Sequence, residues 1–237
     1  MYDMKKDWYF FPYNFVMILF FLVLLLFLPL IFLLYAGGIV AAFGKLGFNS
    51  FVGFTLFLLC IFGSAVNIPI KRIETTVPLI QEREASYFGI RYRIPVIETH
   101  ETILAVNVGG ALIPVCISAY EIFRMFFRGS FIQVFLTLVA VAIVSIVCYM
   151  FAKPIRGVGI AIPLFIPPLI AVLVAIILSP HNATPVAYVA GTLGTLIGAD
   201  IANLEKIKDM GAPMVSIGGA GTFDGVFLTG IVSLLLL

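Results

Sequence analysis

The sequence predicts an all-α membrane protein with about seven transmembrane helices, some of them broken by Gly and Pro. A small cytoplasmic β-hairpin or sheet is expected between spans 2 and 3. Three observations carry this. The 237 residues are 62% hydrophobic and only 11% charged, against about 25% charged residues in a soluble domain. Mean hydropathy is +1.17, and the apolar residues fall into runs of membrane-spanning length separated by short polar links. The exception is 71–103, which holds ten of the 26 charged residues. The whole of 1–237 reads as one polytopic membrane domain carrying this segment as an extramembrane β insertion.

In chain order, the first span is expected over about 14–39. Lys5 and Lys6 precede its apolar run in the manner of a signal peptide. The run from Phe15 to Leu34 is nevertheless long enough to cross a bilayer, and no small-residue cleavage site closes it. Trp8, Tyr9 and Tyr13 suit an aromatic belt at the headgroups. Span 2 covers about 51–70. In 71–103, Tyr87, Gly89, Arg91 and Arg93 alternate with Phe88, Ile90, Tyr92 and Ile94, a period of two that argues for strands. Spans 3 to 7 follow over about 104–123, 131–152, 160–179, 185–203 and 213–237. Pro163, Pro167 and Pro168 are expected to bend the fifth.

Orientation comes from the basic residues. Eleven of the 14 Lys and Arg lie on the side that holds the N-terminus and the 71–103, 153–159 and 204–212 loops. The positive-inside rule therefore expects a multi-pass cell-membrane (inner or plasma) protein with its N-terminus and β element cytoplasmic and its C-terminus outside. A net charge of +2 gives no argument for a nucleic-acid partner. Cys60, Cys116 and Cys148 lie in apolar segments without a Cys-x-x-Cys and read as packed, reduced thiols. His100 and His181 fall in loops on opposite sides, so no metal site is expected. There is no phosphate loop, Ser-His-Asp set or zinc-protease motif, and no cofactor is predicted.

The candidate chemistry lies in the last fifth of the chain. Two apolar segments there each carry one aspartate, Asp200 and Asp224, and an ionisable group inside a membrane points to function. Gly218, Gly219, Gly221 and Gly225 crowd around Asp224 and make an uninterrupted helix poor there. On a helical wheel Gly191, Gly194, Thr195 and Gly198 form a small-residue face suited to close packing. Asp200 falls nearly opposite, so protein neighbours are expected on both faces of this span. A helical 214–223 would set Asp224 about 15 Å deeper than Pro213. A non-helical or re-entrant SIGGAGT would change that depth and let the two carboxyls meet in one pocket. Gly198, Asn203 and Thr222 are candidates for shaping it, with Thr192 and Thr195 as further lining. In span 3, Asn107, Gly109, Gly110 and Pro114 mark a second broken or closely packed helix.

Three function classes fit these residues. Two adjacent carboxyls share a proton, so one serves as general base on a water and the other as general acid, the chemistry of aspartic proteolysis. Its substrate would be a membrane protein or peptide. A single carboxyl that loads and unloads a proton or Na⁺ would instead serve an ion- or proton-coupled transporter or channel, with spans 3 and 7 discontinuous. In a non-enzymatic scaffold, Asp200 and Asp224 cap local backbone and 71–103 recruits a soluble partner. In every case lipid is the surrounding partner. Glu121 and Arg124, three residues apart, read as a border ion pair.

A weak internal echo is also present. Gly63-Ser-Ala-Val-Asn67 resembles Gly198-Ala-Asp-Ile-Ala-Asn203, and Val108-Gly-Gly-Ala111 resembles Ile217-Gly-Gly-Ala220. Chance similarity among small residues competes with a parallel duplication.

The runs GTLIGADIANL, GAPMVSIGGAGTFDGVFLTG, AVNVGGALIPV and YFGIRYRIP resemble a bacterial and archaeal family of polytopic membrane proteins catalogued only as a domain of unknown function. The likeness spans the chain from about residue 40 and implies a membrane fold without an assigned activity. More loosely, one aspartate on each of two successive spans, the second after glycines, is similar to the presenilin and signal peptide peptidase class of intramembrane aspartyl proteases. That resemblance implies Asp200 and Asp224 as the catalytic pair. The sequence departs from that class in its Gly219-Ala-Gly-Thr-Phe before Asp224, its Ile-Gly-Ala before Asp200, and its lack of a Pro-Ala-Leu element.

Overall fold

A computed structural model describes residues 13–74, 79–87, 90–98, 101–155, 159–209, 211–219 and 225–237, with side chains over 16–74, 101–155, 159–207, 211–219 and 225–237. Helix α1 (Tyr13–Lys45) runs 33 residues, about 50 Å at 1.5 Å per residue. From Val16 to Leu34 its side chains are exposed all round, as suits lipid. Only beyond Tyr35 does it enter the core, through Ala36, Ile39, Ala42 and Phe43, with Leu46 buried just past its end. Helix α2 (Ser50–Ser64) starts where Asn49 Oδ1 accepts the Val52 N–H at 2.8 Å, a side-chain cap.

The next segment corrects the expected limits of spans 2 and 3. The chain leaves α2 at Ser64 and enters strand β1 (Asn67–Glu74), so residues 65–70 of the expected span 2 are not helical. Strands β2 (Leu79–Tyr87) and β3 (Ile90–Glu98) form an antiparallel hairpin. It covers the predicted alternation, although Phe88, Gly89 and His100 lie outside the described residues, as do Trp8 and Tyr9. Strand β4 (Glu101–Asn107) then replaces the start expected for span 3. The apolar run Ile103 to Val106 has the composition of a helix start, but it pairs antiparallel with β1 and parallel with the later strand Met214–Ile217.

At Val108 the strand converts into a π-turn (Val108–Leu112), which continues as helix α3 (Ile113–Phe127). Helix α4 (Phe131–Phe151) returns to the sheet side. Short strands β5 (Lys153–Ile155) and β6 (Gly159–Ala161) pair there as a ribbon. Helix α5 (Ile166–Leu178) begins only at Ile166, which moves the expected start of span 5. Pro167 and Pro168 therefore occupy its first turn, where their missing N–H groups cost nothing, and do not bend it midway.

Helix α6 (Ala183–Thr195) passes through a second π-turn (Leu196–Asp200) into a 3₁₀ segment (Ile201–Asp209). Strand β7 (Met214–Ile217) and helix α7 (Gly225–Leu236) complete the described chain. The segment expected as span 7 thus opens as a strand, and its helix starts at Gly225.

Strands β1, β4 and β7 form a sheet in that order. Asn67 pairs antiparallel with Asn107, and Val106 runs parallel to Ile217. This sheet caps one end of a helical bundle centred on α6, which packs on α3, α4, α5 and α7. Small residues permit that position. A side chain on Gly194 would strike Val144, and one on Gly198 would strike the Ser145 carbonyl. Leu104, Ile207, Ala212 and Val215 form a separate apolar core between the sheet and the 3₁₀ segment.

Four of the described helical stretches are long and apolar enough to cross a bilayer: Val16–Lys45, Val108–Phe127, Phe131–Phe151 and Pro180–Ile207. Ser50–Ser64, Ile166–Leu178 and Gly225–Leu236 are shorter apolar helices. With this composition the chain is an integral membrane protein.

Candidate functional site

The site is built where a helix unwinds beside a strand end. At the foot of α6 the π-turn places one extra residue in the winding, a device frequent at functional sites. Asn203, 1% exposed, stabilises this end: its Nδ2 donates to the carbonyls of Gly198 (3.1 Å) and Ala199 (2.9 Å). The last residue of the π-turn is Asp200, whose Oδ2 accepts the backbone N–H of Gly218 at 2.8 Å.

Gly218 is delivered by β7. It and Gly219 have φ of +79° and +84°, a left-handed geometry that favours glycine. A side chain on Gly218 would also collide with Ala111, and one on Gly110 would meet the Gly218 carbonyl. The two glycine-rich stretches therefore touch, backbone against backbone.

Behind them a buried polar clasp fixes the strands. Asn67 Oδ1 accepts both Asn107 Nδ2 (3.0 Å) and Ser216 Oγ (2.7 Å). Asn107, fully buried, also donates to the Ser64 carbonyl at 2.8 Å and accepts the Gly110 N–H at 2.7 Å. All its polar atoms are thereby engaged, as a buried amide requires. Gly109 sits against the last turn of α2, where a side chain would strike the Cys60 carbonyl.

In front of Asp200 opens a cleft with about 640 Å³ of empty space, part of it open to the surroundings. Ile160, Ile162 and Leu164 line it together with Thr195, Asp200, Gly225 and Thr229. Two hydroxyls and a carboxylate among aliphatic walls make an amphipathic site of the kind that orients a ligand with few polar groups.

The sequence-predicted residues separate accordingly. Asp200 and Gly225 share the cleft, Gly218 holds Asp200, and Gly219 completes the turn. Asn107, Gly110, Gly198 and Asn203 shape the backbone around it, and Gly109 locks α2. Asp224, Gly221 and Thr222 lie outside the described residues. Sequence reasoning missed Asn67, Ser216 and Thr229. The echo of Asn67 with Asn203 was a signal for the first; Ser216 and Thr229 carry no local mark. Among the described residues, no group of three His, Cys, Asp or Glu side chains gathers as a metal site would require.

No curated protein and no solved structure matches the chain, so the likeness to presenilin and signal peptide peptidase gains no counterpart. A family profile does match, over residues 61–236, described as Protein of unknown function (DUF1614). The matched region contains both π-turns, all three strands of the sheet, the polar clasp and the cleft, and on that span the chain belongs to the DUF1614 family.

Proposed function

We propose that the cleft is the active site of an intramembrane aspartyl hydrolase acting on a membrane-protein or peptide substrate, with Asp200 and Asp224 as the catalytic pair. One observation carries the reading: Gly225, the residue that follows Asp224 in the chain, lines the same cleft as Asp200. In such a pair one carboxylate takes a proton from water as it attacks the peptide carbonyl. The other, protonated, gives its proton to the departing amine. The Gly218 N–H holds one oxygen of Asp200 and so fixes the plane of that carboxylate. Thr195 and Thr229 supply hydroxyls that hold water or the substrate backbone. The excess of Lys and Arg on the sheet side favours a cytoplasmic placement for the site and the N-terminus.

The test is cleavage of a membrane-anchored peptide by purified protein in lipid. Asp200→Asn and Asp224→Asn each abolish cleavage, and a hydroxyl isostere of the tetrahedral intermediate binds the native protein with Asp200 in place. Cleavage that persists in either variant overturns the assignment.

A further inference from the structure

One wall of the cleft is a strand edge. Ile160, Ala161 and Ile162 line it in succession, beside Asp200. Successive side chains of a strand point to opposite faces, so three consecutive lining residues mean that the cleft meets the edge of β6. Among the described residues β6 pairs only with β5, placing Pro154 opposite Ile160, Lys153 opposite Ala161 and Ile155 opposite Gly159. Antiparallel partners alternate between pairs that exchange both N–H···O bonds and pairs that exchange none. Pro154 has no N–H to exchange, so its pair with Ile160 is an unbonded one. The N–H and C=O of Ile160 therefore point away from β5. Among the described residues, no backbone group outside the ribbon bonds to Ile160.

Two other strand edges are closed to a further strand. Strand β1, at the rim of the three-stranded sheet, carries Pro69, a register shift between Pro69 and Lys71, and the exposed charges of Lys71 and Arg72. The outer edge of β5 presents Pro154, without a donor, next to exposed Lys153. Proline, bulges and lysine are the devices that keep an edge from recruiting another strand. Gly159-Ile160-Ala161 of β6 has none of them. Unpaired backbone groups at membrane depth persist only inside protein or in a wet cavity, and this edge lies on the cleft.

We propose that the substrate of this cleft binds as an extended peptide strand added to the free edge of β6. This rests on the reading of the cleft as a peptide hydrolase and names the form in which the peptide is taken. The Ile160 N–H donates to a substrate carbonyl, and the Ile160 C=O accepts a substrate N–H. Ile162, which precedes Pro163 and so favours extended backbone, offers a second pair two residues on. In strand addition the main-chain bonds supply affinity and pockets for alternate side chains supply selectivity. Ile162, Leu164 and Pro167 make that pocket aliphatic. A helical segment has its N–H groups engaged four residues back, so the substrate class is a peptide segment that unwinds at the cleft, with aliphatic residues at alternate positions.

The test measures binding of fluorescent Leu–Ala peptides to the full Asp200→Asn chain in lipid nanodiscs, so that affinity is read without turnover. One peptide is unmethylated, two are N-methylated on every second residue in opposite phases, and one on every residue. Strand addition needs one free peptide edge. At least one half-methylated peptide should therefore keep most of the affinity, and the fully methylated peptide should lose at least tenfold. Ile160→Pro removes the outward N–H without removing a ribbon bond, and should weaken binding further than Ile160→Ala does. No binding of the unmethylated peptide, equal binding of the fully methylated one, or loss in both half-methylated ones overturns the proposal, whether or not Ile160→Pro folds. Cleavage by the wild-type chain separates the two readings. The expected binding pattern without cleavage of a membrane-anchored peptide supports the strand site and removes the hydrolase. Cleavage that is indifferent to full N-methylation around the cut bond supports the hydrolase and overturns the strand site.

Discussion

Asn107 and Ser216, on two neighbouring parallel strands, donate hydrogen bonds to the same oxygen, Oδ1 of Asn67. Each donor is followed by an apolar residue and then Gly-Gly-Ala, and each strand leads on towards a helix. The faint repeat in the sequence thus corresponds to two parallel strand-to-helix passages that meet at one amide. Asp200 is held by the second of them. The clasp consequently sets the register of β7, and through it the position of the Gly218 N–H.

Breaking the clasp should cost stability in proportion to the partners left behind. Asn107→Ala removes three side-chain hydrogen bonds from a fully buried position, and Ser216→Ala removes one. A buried group left unsatisfied costs about 1–3 kcal/mol. Thermal unfolding in detergent should rank the variants native, Ser216→Ala, Asn107→Ala, in falling order. Equal midpoints for the two variants would contradict the clasp.

The glycines make a sharper comparison. Gly198→Ala drives a methyl group into the Ser145 carbonyl, and Gly218→Ala adds a left-handed φ to a collision with Ala111. Backbone neighbours cannot rotate away, so both should be destabilised by about 1–3 kcal/mol or more. Gly37, in α1, has nothing within 4 Å of an added Cβ. Gly37→Ala should be neutral or stabilising by up to about 1 kcal/mol. A midpoint lowered as much in Gly37→Ala as in Gly198→Ala would refute the packing argument.

How far the sequence reveals this arrangement depends on the residue. Composition and apolar run length suffice for the membrane class, because a bilayer imposes both. The Gly191, Gly194, Thr195, Gly198 face is legible because close packing needs a 3.6-residue stripe of small side chains, and the structure places α4 against Gly194 and Gly198. Strands β4 and β7, unlike the β2–β3 hairpin, were hidden for a physical reason. Ile103 to Val106 and Met214 to Ile217 are short, largely apolar runs beside helical segments, and periodicity cannot separate a four-residue strand from a helix turn. The meeting of Asp200 with Gly218 depends on β7 joining β4, a pairing made over more than 100 residues of chain. No local pattern encodes it.

Asp200 itself separates chemistry from folding. Asp200→Asn keeps an oxygen able to accept the Gly218 N–H, whereas Asp200→Ala removes it. The expected outcome is that Asn loses activity with a near-native unfolding midpoint, while Ala loses activity and about 1 kcal/mol or more of stability. Circular dichroism melts beside the cleavage assay read both quantities. A melt for Asn as low as that for Ala would show that the Gly218 bond does not depend on oxygen acceptance.

The Glu121–Arg124 pair makes the final prediction. Its carboxylate is fully buried and its guanidinium three-quarters covered, with side-chain exposures of 0% and 24%. Removing the cation alone strands a buried negative charge, so Arg124→Met should destabilise by about 3–5 kcal/mol. Replacing both partners removes the desolvation cost along with the attraction, and such double replacements are often neutral. Glu121→Gln combined with Arg124→Met should therefore regain most of the stability lost in Arg124→Met. Arg124 also donates to the Leu46 carbonyl, a bond the double variant does not recover, so full restoration is not expected. A double-mutant cycle in detergent measures the coupling. A double variant no more stable than Arg124→Met would place the cost in that carbonyl bond and not in the buried charge.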